Sequence, residues 1–91
     1  MGLGGTARAW IARGAAEQDD AFAQYCLGML YADGHGVPQD KVIAHMWFDL
    51  SAAKDHPDGV KNRDLIAQHM TPAEIAEAQK LAREWKPKPE R

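Results

Sequence analysis

The side chains that could do chemistry in this 91-residue chain are four histidines, one cysteine, one serine and scattered aspartates. His35 lies between two glycines with Asp33 close by, a placement that could hold a metal or an anion. A zinc site needs three or four converging ligands, however, and no such spacing is present. His45 and Asp49 stand one helical turn apart and could share a proton, although a solvated surface pair is the expectation at that spacing. Asp55, His56 and Asp58 bracket Pro57, where capping and turn roles account for them. Ser51 is grouped with no base in a nucleophile motif. Cys26 falls inside an apolar helical pattern, where a small buried thiol is the ordinary reading. Gly34 and Gly36 resemble a phosphate loop only superficially, since neither the preceding strand nor the required lysine is there. The expectation is no catalytic residue, no metal and no cofactor; a small ligand- or metal-binding, hydrolase-like protein using the histidines is the weakest alternative.

Composition limits the choices in the same direction. A chain of this length holds one compact domain. Aliphatic and aromatic residues make up 45% and charged residues 26%, and leucine and alanine outnumber β-branched residues, as in a helical protein. The net charge is −2, with basic and acidic residues interleaved, so the electrostatic footprint of a nucleic-acid binder is missing. No apolar run approaches the roughly 18–20 residues of a membrane span, and Arg8 and Arg13 interrupt what could have been a signal-peptide core. The default expectation is therefore a cytoplasmic protein that binds neither nucleic acid nor membrane.

The elements that must position these side chains read as helices throughout. Thr6 is a suitable N-cap for a first helix ending near Ala16, with Trp10 and Ile11 on its apolar side. Asp19 or Asp20 can start a second, in which Ala23, Leu27, Leu30 and Tyr31 form one stripe. Gly34 ends it with a left-handed cap. Pro38 suits the first turn of a third helix, which runs to about Ala53 with Asp40 near its start and with Ile43, Trp47, Phe48 and Leu50 as apolar bulk. Pro57 opens a fourth, to about His69. Thr71-Pro72-Ala73-Glu74 is a capping box that starts the last helix, whose stripe is Ile75, Ala78, Ala82 and Trp85; Pro87 and Pro89 terminate it.

Laying the helices on one another exposes an internal repeat. Ala7, Trp10, Ala15 and Ala16 match Ala44, Trp47, Ala52 and Ala53 at a shift of 37 residues, a period typical of repeat arrays. Between them, Ala23, Leu27, Gly28, Tyr31, Gly34, Gly36, Val37, Asp40, Ala44, Trp47, Ala52 and Ala53 fill a pattern that resembles the Sel1-like repeats of the tetratricopeptide-like superfamily. One repeat is complete. Ala7–Ala16 looks like the second helix of a truncated one, and the segment from Asn62 through Thr71-Pro72 to Glu84-Trp85 looks like the family's terminator. Where another Leu-Gly would fall, the chain has Asp64-Leu65.

The resemblance implies an all-α, right-handed α/α superhelical, tetratricopeptide-like array of about five short antiparallel helices. It divides the chain into residues 1–5, a disordered or vector-derived N-terminus; residues 6–86, one domain; and residues 87–91, a tail. Within the domain lie a partial repeat (7–22), a full repeat (23–58) and capping helices (57–86).

Function follows the resemblance: a non-enzymatic adaptor that binds a protein or peptide on a helical-repeat surface. The residues add a candidate surface, since Phe22, Cys26, Met29 and Asp33 follow 4-3-4 spacing on the second helix, offset from its buried stripe. With Tyr25 they would present adaptable apolar contacts to a partner. The competing reading packs this stripe against Trp10 and Ile11. A lone repeat also leaves open ends, so a homodimer formed through the open repeat end is the alternative function.

Overall fold

A computed structural model describes residues 13–87 of the chain. Its elements are the helical residues 13–17 (α1), then α2 (Ala21–Asp33), α3 (Lys41–Ala52), α4 (Pro57–Ala67) and α5 (Pro72–Glu84). Thr6, Ala7, Trp10 and Ile11, on which the first half-repeat rests, lie outside the described residues. None of the described helices is long and apolar enough to cross a membrane.

Each of α2 to α5 starts where a side chain can accept from its otherwise unpartnered first-turn N–H groups. Asp20 rather than Asp19 caps α2, accepting from Ala23 N at 2.8 Å. Asp40 caps α3, accepting from Ile43 N at 3.1 Å. His56 caps α4 through Nδ1, which accepts from Gly59 N at 3.3 Å. At α5 the capping box is complete: Thr71 Oγ1 accepts from Glu74 N at 3.1 Å, and Glu74 Oε1 accepts from Thr71 N at 2.8 Å.

The glycine turn is tied back onto α2. Gly34 adopts φ 73°, ψ 37° and Gly36 φ 80°, left-handed conformations that glycine takes without a Cβ penalty. His35 N donates to Leu30 O at 3.0 Å, Asp40 N to Tyr31 O at 3.0 Å, and Gln39 Nε2 to Ala32 O at 2.9 Å, so the last carbonyls of α2 are satisfied in succession. This corrects the placement of Pro38, which precedes the cap of α3 and is not in its first turn. The bond from Asp40 N to Tyr31 O holds Asp40 extended at φ −154°, and the helix begins only after it.

α3 is the centre of the fold, packed against α2, α4 and α5. Five successive residues of it are buried, Ala44 to Phe48, together with Ser51. The core joins Ala16, Ala23, Leu27, Met46 and Trp47, with Leu30, Tyr31, Ile43, Leu50, Leu81, Ala82 and Trp85 packed on its margin. Trp85 is the C-cap of α5 in extended backbone, yet its ring still meets Trp47 edge-on at 5.8 Å.

Two glycines set the helix spacing. A Cβ at Gly28 would lie 2.5 Å from Cε1 of Phe48 and 3.2 Å from the carbonyl of Ala44. α2 therefore crosses α3 with the phenyl ring against its bare backbone. At Gly59 a Cβ would lie 2.6 Å from Ser51 Oγ, so α4 approaches α3 equally closely. Ser51 Oγ donates to Ala21 O at 2.9 Å, which pins the end of α3 to the start of α2 and fixes the two as an antiparallel pair.

The expectation of a solvated His45–Asp49 pair is corrected here. His45 is 2% exposed, and its Nδ1 sits 2.9 Å from Asp49 Oδ2. That side chain is buried on α3, the helix against which α2, α4 and α5 all pack. Cys26 is half-buried rather than fully buried.

Candidate functional site

α2 and α4 stand side by side on α3, and both run in the same direction. At their starts, the Tyr25 ring stacks on His56 with centroids 5.4 Å apart and planes 21° apart. Phe22 lies 6.3 Å from Tyr25 and 6.0 Å from His56. Toward their ends the helices diverge around a cleft of 230 Å³, whose apolar lining is Met29, Ala32, Phe48, Leu65 and Ile66 and whose polar lining is Asp33, Asn62, Gln68 and His69.

The sequence-derived surface residues fall into three places. Phe22 and Tyr25 belong to the ring cluster, Met29 and Asp33 line the cleft, and Cys26 lines neither. Phe22 is 62% exposed and Leu65 47%, the two large apolar side chains most open to solvent among the described residues. Tyr25 also touches Phe48 at 6.2 Å, so the buried ring that floors the cleft also supports the aromatic cluster. Contact of the stripe with Trp10 and Ile11 lies outside the described residues.

Sequence reasoning missed the far wall and the floor. Asn62, Leu65, Ile66 and His69 recur at 3-1-3 spacing on and just past α4, the signature of one helix face. That signal was present but belonged to a helix read only as a terminator. Phe48 was read as core bulk, which it is, and it forms the cleft floor as well.

Two titratable side chains of α2 are shifted toward their neutral forms. Burial, and secondarily the Asp58 carboxylate and Cys26, raise the Tyr25 phenol above its ordinary value. Burial, followed by the charge of Asp20, raises the Cys26 thiol. A thiol pushed upward is a poorer nucleophile at neutral pH. The other side chains that could do chemistry have structural uses. Ser51 Oγ is fully buried and donates to a backbone carbonyl. His56 caps a helix, and Asp55 adopts a left-handed turn conformation at φ 62°. No group of three or more metal-ligating side chains converges among the described residues.

The residues of the repeat pattern have distinct mechanical duties. Gly34 and Gly36 turn the chain, Asp40 caps α3, Gly28 admits Phe48, and Leu27, Ala44 and Trp47 are buried.

No protein-family model and no curated protein matches the chain. Among solved structures, it is similar to a protective antigen present in uropathogenic Escherichia coli strains that displays an SLR fold. The TM-score is 0.82 and the identity 35%, over 85% of this chain. The chain spans 17% of the length of that protein. A likeness of this closeness in both backbone and sequence, added to a glycine turn, cap and tryptophan that each do what the repeat pattern demands, gives this chain a Sel1-like repeat fold.

Proposed function

We propose that the chain is a protein-interaction module working without covalent chemistry, and that the cleft between α2 and α4 is its contact surface. The observation that carries this reading is a cleft of mixed lining, floored by the buried Phe48 and rimmed by the exposed Leu65. At 230 Å³ it falls below the roughly 300–1,000 Å³ of small-molecule sites, so it suits a protruding side chain better than a whole ligand. Parallel helices that share a floor also give an extended partner a track to lie along.

The reading is tested by placing a photo-activated cross-linker at position 65, with position 77 on the exposed side of α5 as control, in cells that make the full protein. Adducts should form from position 65 and not from 77. Met29→Glu should abolish them while leaving helical circular dichroism and the melting temperature in place. Adducts that survive Met29→Glu would remove the cleft from the function. A cross-linked dimer of the chain would identify the partner as a second copy.

A further inference from the structure

We propose that the occupant of this cleft is a peptide segment of a partner protein that seats one apolar side chain on Phe48 and sets a lysine or arginine, within one helical turn of it, against Asp33. The proposal rests on the reading of the cleft as a contact surface and adds the chemistry of the partner.

Four observations converge on it. The cleft has room for about one large side chain, and its lining includes Met29, Ala32, Leu65 and Ile66 besides Phe48. Asp33 is the one carboxylate that lines it, and among the described residues Asp33 takes part in none of the ion pairs, which join Arg13 to Glu17, His45 to Asp49, Lys54 to Asp19 and Arg63 to Asp64. Both α2 and α4 end at this side of the cleft, where Asp33, Gln68 and His69 lie. Their aligned peptide dipoles thus place two negative ends beside the carboxylate. The protein already shows a cation using that field: Lys41 Nζ donates to the carbonyl of His69 at 3.4 Å. That lysine takes a backbone oxygen and leaves the Asp33 carboxylate open.

A partly apolar recess with a carboxylate and two helix C-termini at one end selects against acidic segments and for a cation placed next to the anchor. An arginine would bring two parallel N–H donors to Asp33, and a lysine one ammonium.

The test uses a phage library of random dodecapeptides selected on the immobilised full chain, with affinities of the enriched peptides measured by fluorescence anisotropy. Peptides whose binding is lost with Leu65→Glu should share an apolar residue followed or preceded within four positions by lysine or arginine. Asp33→Asn should weaken them about tenfold, as expected for loss of a charge-assisted hydrogen bond. Asp33→Lys should recover a peptide in which the basic residue is changed to glutamate. Leu65-dependent peptides with no basic preference, or an affinity unmoved by Asp33→Asn, overturn this inference and leave the cleft reading intact. A selection that yields only peptides indifferent to Leu65→Glu, or none, overturns both.

Discussion

The seam between α2 and α3 and the gap between α2 and α4 use adjoining faces of one helix in opposite ways. At the seam, Gly28 removes a side chain so that Phe48 can rest on bare backbone, and Ser51 bonds across to Ala21. At the gap, side chains are present and unpartnered: Met29, Asp33 and, across from them, Leu65. α3 buries six of its residues, whereas α4 buries only Gly59. Phe48 belongs to both regions, being the ring inserted at the seam and the floor of the cleft. Stability in this fold therefore concentrates in α3, and exposed apolar surface is left where α2 and α4, in contact at their starts, part over α3. A repeat protein can vary that surface without touching its seam.

The strongest way to break this contrast is at Trp47, which is 6% exposed and packed edge-on against Trp85. Trp47→Ala should lose about 3–5 kcal/mol through the missing contacts and the cavity left behind. That is a large part of the about 5–15 kcal/mol total of an ordinary domain. Chemical denaturation followed by circular dichroism reads the loss. A cooperative transition shifted by less than about 1 kcal/mol would mean that α3 does not carry the fold.

A smaller effect sharpens the seam itself. Gly28→Ala adds one methyl group 2.5 Å from a ring that is 1% exposed and 3.2 Å from the backbone carbonyl of Ala44. Overpacking costs about 1–3 kcal/mol, against the roughly 1 kcal/mol by which alanine favours a helix over glycine. The net expectation is destabilisation, and adding Phe48→Leu, which shortens the obstructing side chain, should recover part of it. If Gly28→Ala stabilises the protein in the same denaturation experiment, the two helices are not in the tight contact described.

The two regions also differ in how far their residues announce them. The capping box at Thr71 and the left-handed turn at Gly34 are local, since each involves residues within a few positions, and both read directly from the chain. The start of α3 was misplaced by three residues because Pro38 is a plausible first-turn residue. What excludes it is Asp40 bonding back across the turn to Tyr31. Burial of His45 was missed for a related reason. Its own helix suggests an exposed pair with Asp49, and its burial depends on packing between elements distant in sequence. Met29 and Asp33 were legible as an offset stripe on one helix. Leu65, Ile66 and the role of Phe48 were not, because a cleft exists only once two elements distant in sequence are set on a third.

The smallest expected effect lies at the rim of the seam, where Lys54 pairs with Asp19 outside the buried bond from Ser51 to Ala21. The hydrogen bond from Lys54 lowers the Asp19 carboxyl below its ordinary value of 3.8, with burial opposing and Gln24 and the lysine charge assisting. A carboxyl lowered in the folded state stabilises folding at pH values above its unfolded value, and that contribution is lost as the pH falls through the folded value. Both side chains are about one-third exposed, so solvent screening keeps the pair within the about 0.2–1 kcal/mol of surface ion pairs. Lys54→Met should thus be slightly less stable than the parent at pH 7 and equal to it near pH 2, with the difference shrinking below about pH 4 and also in high salt. Urea titrations of both proteins at pH 7, 4 and 2.5 measure it. A difference that persists unchanged at pH 2.5 would assign the effect to the lysine's packing. The rim would then act as part of the apolar seam, and the charge of Asp19 would have no role in it.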